Sequence, residues 1–357
     1  MVEDITQIGK LRSIQVYFSS EEPINPMTQY HAPSTDSDLL LRPVRWDDLD
    51  AIARLIYEVC EADGDTTVAV TPEDLANSWK HEGFNPELDA WLVNTRAGQL
   101  VGYAELLDVK DHFHLSGDLY VHPKYPGQAV HTALLREIEK RGMHHVRLAP
   151  PGSRVFIRAA TDHRDETGIT CYNREGYAAV RYFWRMGIEL ESPPPQPTLP
   201  AGFEFRPFVK EEHAQAVWQA RNEAFQEHWG SHPISFEEFS YYYFDAPEYD
   251  PSLWMVIWKA DEIAGFSINH YRMGIGWIRT LGVRPAWRQH SLGLSLLQQS
   301  FAEFYRRETT TIGLGVDASN PTGATRLYQK AGMQVVSQFV NMEKELRPGS
   351  VQTETLA

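Results

Sequence analysis

The residues best placed to do chemistry lie in the last third of the chain. An apolar run from Trp277 to Val283 reads as a strand, and the polar, glycine-bearing stretch Arg288-Gln289-His290-Ser291-Leu292-Gly293-Leu294 follows it. Leu292, Leu296, Leu297, Phe301 and Phe304 then recur at helical spacing, so a long amphipathic helix begins within that stretch. A strand leading through such a loop into a helix offers converging backbone N–H groups and the positive end of a helix dipole, which suits a phosphate anion. Upstream, Glu223 and Glu227 stand four apart in a helical pattern from Glu211 to Glu227, so both face one side. Together they suit a cationic molecule or the uptake of a proton; the alternative is a solvated helix face. His228 is a further proton acceptor, or a surface or aromatic-packed histidine.

Other groups offer less. Asp111-His112-Phe113-His114 has strand spacing that sets both imidazoles on one face, which suits a metal ion or, more simply, a polar strand face; we expect no metal. Cys171 has no identifiable base beside it and reads as a small buried hydrophobe. His144-His145 reads as a loop pair with no role. Tyr241-Tyr242-Tyr243-Phe244, with Phe239, reads as core or cleft lining, or as a stacking surface for a ligand.

The elements that must position these groups occur twice. Arg42-Pro43, Gly102-Tyr103-Ala104, Val121-His122-Pro123 and Tyr172 to Tyr177 recur in order as Arg206-Pro207, Gly265-Phe266-Ser267, Val283-Arg284-Pro285 and Tyr328 to Met333. Nearly constant offsets argue for one fold used twice. In the second copy, Gly202 to Phe208 alternates as a strand, Trp254 to Trp258 and Ala264 to His270 form a hairpin about Lys259-Ala260-Asp261-Glu262, and Ile312, Leu314 and Val316 alternate as a strand. Asn320-Pro321 supplies a helix cap and first helical residue, and Gly332 ends that short helix. Between the copies, Ser192 to Pro200 carries five prolines and reads as a stiff, extended linker. We therefore divide the chain into an arm at 1–37 holding one possible strand, Ser13 to Phe18; a domain at 38–191; the linker at 192–200; a domain at 201–347; and a polar tail at 348–357.

Composition narrows the function. A chain of 357 residues with 42% hydrophobic and 12% aromatic residues can build two cores, which excludes disorder as its main state. A formal net charge of −15 has the wrong sign for a protein that binds by neutralising a phosphate backbone, so nucleic acid is not expected as a partner. Two cysteines, Cys60 and Cys171, make no disulfide framework and lack zinc-site spacing, which fits a reducing cytoplasm. No apolar run is long enough to cross a bilayer, and the first eleven residues lack the pattern of a signal peptide. A soluble, cytoplasmic monomer or homodimer is expected.

The stretch Thr280 to Leu297 resembles the acetyl-CoA-binding motif of the GNAT superfamily of N-acetyltransferases, and Val316 through Asn320 and Tyr328 to Met333 resembles that family's second signature. The duplication is similar to tandem members of the family, over about residues 38 to 347. The resemblance implies an α/β (α+β) chain of two GNAT-like domains, each a mixed, mostly antiparallel sheet flanked by helices. It implies acetyl-CoA as cosubstrate, held at Leu281, Gly282 and Val283 along the pantetheine arm and at Arg288, Gln289, His290, Ser291, Leu292, Gly293 and Leu294 around the pyrophosphate, with Asn320 nearby. Tyr328 aligns with the usual acid that protonates the departing thiolate, although it also suits a core aromatic. The acceptor, a primary amine on a small cationic molecule, would lose its proton to Glu227 or Glu223.

Two departures stand out. The family pattern asks for glycine where Ser291 stands, and for small residues at the cofactor loop because a side chain would block the approach of backbone to phosphate. In the first copy, Pro126 replaces the basic or amide residue of the loop, Ala129 and His131 replace small residues, and Arg164 aligns with Asn320. That copy reads as non-catalytic, either holding a second cofactor molecule or shaping the substrate cleft. Alternatives to the whole reading are a non-catalytic acyl-CoA sensor, another acyl donor, or a protein acceptor.

Overall fold

A computed structural model describes residues 39–80, 83–125, 127–226, 233–319 and 323–349. The expected strand at Ser13 to Phe18 lies outside them. The chain forms two compact units, and their boundaries do not follow the proline-rich segment. One takes residues up to Arg181 and again from Phe339; the other is Tyr182–Gln338.

The unit built mostly from the first copy contains β1 (Leu39–Pro43), α1 (Leu49–Ala62), α2 (Pro72–Trp79), α3 (Pro86–Asp89), β2 (Ala90–Thr95), β3 (Leu100–Lys110), β4 (His114–Val121), α4 (Gln128–Leu148), β5 (Val155–Asp162) and α5 (Glu166–Arg174). Strands β1 to β4 pair antiparallel in sequence order, and β4 pairs parallel with β5. Helices α1 and α2 close one face over Leu92 and Tyr103, and α4 closes the other over Val93, Leu106 and Ile157.

The second unit begins within β6 (Ala178–Glu189) and continues through β7 (Phe203–Pro207), α6 (Lys210–Ala224), α7 (Phe236–Tyr243), β8 (Met255–Lys259), β9 (Glu262–Arg272), β10 (Ile275–Val283), α8 (Leu292–Arg306), β11 (Thr311–Asp317) and α9 (Ala324–Lys330). Here too the meander β7 to β10 is antiparallel, and one parallel pair, β10 with β11, follows the long helix. Helix α8 packs Leu296, Leu297, Phe301 and Phe304 on one face of the sheet. Helices α6 and α7 pack Val217, Ala224 and Phe239 on the other. The mixed, mostly antiparallel sheet flanked by helices is thus present in both units. Sequence reasoning passed over α7, although Ser235 and Glu238 make a reciprocal capping box at its start.

The last strand of each copy belongs to the other unit. β6 pairs antiparallel with β11 from Phe183↔Asp317 to Glu189↔Thr311. The second half of β12 (Gln334–Arg347) pairs with β5 from Phe339↔Asp162 onward. The segment expected as a linker is consequently part of the second unit. It has no helix or strand, as five prolines require, yet Pro194 is buried, Leu199 packs against the core and the carbonyl of Thr198 accepts a 2.7 Å hydrogen bond from Ser295 Oγ.

An ion pair fastens β12 to β5. Glu343 Oε1 accepts from Arg154 at 2.8 Å and Glu343 Oε2 from Arg158 at 2.7 Å. Burial pushes the Glu343 carboxyl up, but the hydrogen bonds and charges of both arginines outweigh it and leave it below its ordinary value. A lowered folded-state value means stability that is fully present above the unfolded glutamate value of 4.5 and is lost as pH falls through the folded value. Glu343→Gln should therefore cost roughly 1–3 kcal/mol at pH 7, less than for a fully buried pair because Arg154 reaches solvent. Thermal melts between pH 3 and pH 7 check this: the variant should lose less stability on acidification than the wild type.

Candidate functional site

β10 and β11 part company. Their parallel ladder covers only Gly276↔Ile312, Trp277↔Gly313 and Ile278↔Leu314. Beyond it β10 follows β9 as far as Val283↔Gly265, and β11 follows β6 to Asp317. At this point a register shift between Ile278 and Thr280 leaves Arg279 as an extra residue, and such a bulge bends and twists its strand. The two strands end with a gap between them, and backbone donors and acceptors of β10 from Thr280 onward line it. Leu281 and Val283, expected along the pantetheine arm, sit on this stretch.

The gap opens toward the start of α8. A short turn at Pro285–Trp287 leads out of β10, and Gln289 and Ser291 then both adopt positive φ, 69° and 58°. Ser291 is the residue preceding α8. Its carbonyl accepts from Leu294 N at 3.1 Å and Ser295 N at 3.2 Å, so Leu294 is the first residue to donate within the helix. The N–H groups of Leu292 and Gly293 precede it, at the positive end of a 15-residue helix. His290 is exposed, with Nδ1 2.9 Å from the Arg288 carbonyl.

Two expectations about this loop change. Gly293 is small for packing: a Cβ there would lie 2.9 Å from Leu327 Cδ2 on α9, so the missing side chain lets α8 and α9 approach. Arg288 turns inward, and its guanidinium donates to the carbonyl of Ala224 at the end of α6 at 3.3 Å.

Tyr328 projects from α9 into the buried cluster that contains Leu281, Leu292 and Val316. The side chain is fully buried, and its hydroxyl has no hydrogen-bond partner among the described residues. Burial holds the phenol protonated, well above its ordinary range. A buried hydroxyl without a partner costs free energy, and one that keeps its proton is a donor awaiting an acceptor. Asn320 lies outside the described residues.

The opposite face of β10 differs from expectation. Glu223 makes a bidentate ion pair with Arg284, 2.7 Å from Oε2 to Nε and 3.2 Å from Oε1 to a terminal nitrogen, while Arg284 also reaches the Ile263 carbonyl. Both oxygens of Glu223 are thus taken up by the Arg284 guanidinium, so its side chain is held toward Arg284 rather than standing free beside Glu227. Glu227 and His228 lie outside the described residues. The bulge turns Arg279 and Thr280 to this face together: Thr280 Oγ1 is 3.0 Å from Tyr243 Oη, and the Arg279 guanidinium lies 4.7 Å from the Tyr243 ring and 3.8 Å from Glu248. Glu248 Oε2 is buried with no hydrogen-bond partner among the described residues. Sequence reasoning missed this group; the capped aromatic segment before it was the available signal.

The first unit keeps part of the arrangement. Its parallel ladder also ends early, at Gly117↔Ala159, and the buried hydroxyl of Tyr172 is likewise without a partner among the described residues. Its loop differs: His131 is buried with Nε2 3.6 Å from Asp165, so a large side chain fills a place where the second unit has Gly293. Pro126 lies outside the described residues. Cys171 is buried, as expected.

Comparison with known proteins agrees with this geometry. The profile of the Acetyltransferase (GNAT) family matches residues 49–155 and 215–333, more than half of the chain. A GCN5-related N-acetyltransferase from Sphaerobacter thermophilus has a crystal structure 34% identical in sequence, with a TM-score of 0.76 over 89% of this chain and 98% of that one. A mycothiol acetyltransferase from Thermobispora bispora is 29% identical over 80% of this chain and 92% of its own length; one from Streptomyces scabiei is 27% identical over 83% and 90%. A tandem GNAT protein of the clavulanic acid pathway shares the fold, with a TM-score of 0.66 at 16% identity. A split parallel pair, a helix N-terminus at its open end and two copies of the whole define a tandem acyltransferase scaffold. The chain belongs to the GNAT family and is an acetyl-CoA-dependent acetyltransferase.

Two substitutions test the local arguments. Ser291→Gly should relieve the left-handed backbone and raise stability by about 0.5–1 kcal/mol, read as a higher melting temperature. Glu223→Gln should leave kcat within about threefold, whereas loss of a general base would cost about 10²–10⁴.

Proposed function

We propose that the C-terminal copy carries out the transfer, moving the acetyl group of acetyl-CoA directly to a primary amine on a small molecule. The observation that carries this reading is the conjunction at one end of β10: the strand edge beyond its ladder with β11, the α8 N-terminus and the buried phenol of Tyr328, which has no hydrogen-bond partner among the described residues. The first-turn N–H groups of α8 at Leu292 and Gly293, with the backbone around Gln289 to Ser291, hold the pyrophosphate. Backbone groups of Leu281 and Val283 orient the pantetheine arm in the gap, and an N–H there polarises the thioester oxygen. Tyr328 donates its proton to the departing thiolate, a role for which a phenol kept protonated by burial is prepared.

The acceptor amine must lose a proton. Of the two glutamates considered from sequence, Glu227 remains the proposed base. The reading stops at a primary amine: with Glu223 bound to Arg284, the paired-carboxylate argument for a cationic acceptor no longer holds. Relatives named mycothiol acetyltransferases support a small-molecule acceptor over a protein. His131 in place of a small loop residue supports a first copy that performs no transfer.

Calorimetry with acetyl-CoA and steady-state kinetics on an amine panel test this together. One acetyl-CoA per chain is expected, with affinity reduced about tenfold or more in Ser291→Asp, which sets a negative charge against the pyrophosphate. Tyr328→Phe should lower kcat by about 10²-fold or more while leaving affinity for acetyl-CoA nearly unchanged. Unchanged turnover in Tyr328→Phe overturns the acid assignment, and two binding sites per chain overturn the reading of the first copy.

A further inference from the structure

Asp108, His112 and His145 come together in the first unit, far in sequence from any residue of the proposed transfer site. His112 does not lie on a strand with His114, as strand spacing suggests. It occupies the turn between β3 and β4, where Asp111 and His112 both adopt positive φ, 44° and 61°, while His114 stacks on Phe156. The backbone N–H of His112 donates to Asp108 Oδ1 at 2.9 Å, and this curl folds the imidazole back over the hairpin. His145 is not in a loop but in the last turn of α4, with its ring buried.

Three lone-pair atoms converge. His112 Nδ1 lies 2.9 Å from His145 Nδ1 and 2.5 Å from Asp108 Oδ2, and His145 Nδ1 is 3.8 Å from the same oxygen. A proton can bridge two such atoms, but the third then faces them unbridged. Around a tetrahedral ion with bonds of about 2.0–2.1 Å, ligand atoms lie ~3.3 Å apart, which is within the spread of these three edges. Two imidazoles and one carboxylate are a set that zinc and neighbouring divalent transition metals accept, with a position left for water. His112 is partly exposed and gives an ion a way in.

We propose that Asp108 Oδ2, His112 Nδ1 and His145 Nδ1 form a site for a divalent transition metal of the zinc class, which pins the β3–β4 turn to the C-terminal end of α4. Its role is to staple the fold, because nothing in the transfer site draws on these residues.

The test is titration of the chelator-treated, full-length protein with Zn²⁺ alone, by calorimetry and by thermal melting. Saturable binding of one ion per chain is expected, with a rise in melting temperature that grows with free Zn²⁺. His112→Ala and Asp108→Asn, at positions with solvent access, should each weaken binding about tenfold or more without lowering the metal-free melting temperature much. Co²⁺ in place of Zn²⁺ should give the visible bands of a four-coordinate ion, lost in His112→Ala. Absence of binding overturns the proposal. So does binding that persists unchanged in both variants, because the ion would then sit on other histidines.

Discussion

The extra residue at Arg279 is the constraint on which the proposed site rests. The register of β10 against β9 breaks there, next to the point where the parallel ladder with β11 ends, at Ile278↔Leu314. Buried backbone donors and acceptors are ordinarily satisfied. Here the ladder stops where a helix N-terminus begins and where the phenol of Tyr328 has no hydrogen-bond partner among the described residues. A scaffold that withholds its own hydrogen bonds at one point has prepared that point for a ligand rich in amide groups, and the arm of acetyl-CoA is such a ligand. The ladder of the first unit ends early too, at Gly117↔Ala159, with no extra residue in β4 at that point, so the break belongs to the fold, and the bulge at Arg279 is what the second unit adds to it.

Charge is used differently on the two faces of β10. On the α8 side the surroundings of Tyr328 are apolar, and burial alone keeps its proton in place. On the α6 and α7 side the ionisable groups are paired, Glu223 with Arg284 and Arg279 with Glu248, around the hydrogen-bonded Tyr243 and Thr280. Those two carboxylates have partners of opposite sign, so the described part of this face is locally balanced although the whole chain carries −15.

Much of this was legible in the sequence, because the elements that hold the site are strongly periodic or sharply punctuated. Trp277 to Val283, the helix from Leu292 and the glycine after α9 all stand where pattern and turn chemistry put them. What escaped has physical reasons. A bulge leaves no mark in alternation, so Arg279 and Thr280 on one face could not be read. Glu223 and Glu227 are four apart in a helical pattern, but the pattern cannot show that Arg284, remote in sequence, reaches across to take one of them. Gly293 was assigned to ligand approach, and Leu327 gives its small size a further reason in packing. His112 and His145 were judged by local spacing, and only the turn and the helix end bring them together.

The prolines between the copies suggested a stiff linker between two separate domains, yet the pairing of β6 with β11 and of β12 with β5 interlaces the copies. During synthesis the first unit must wait, its sheet lacking a strand until residues 339–347 leave the ribosome. Neither copy expressed alone would carry its full complement of strands. A duplicated fold has in this way become a single unit of inheritance whose parts cannot easily be parted again by recombination, so each copy is retained for the strand it lends the other, whatever its own loop can bind.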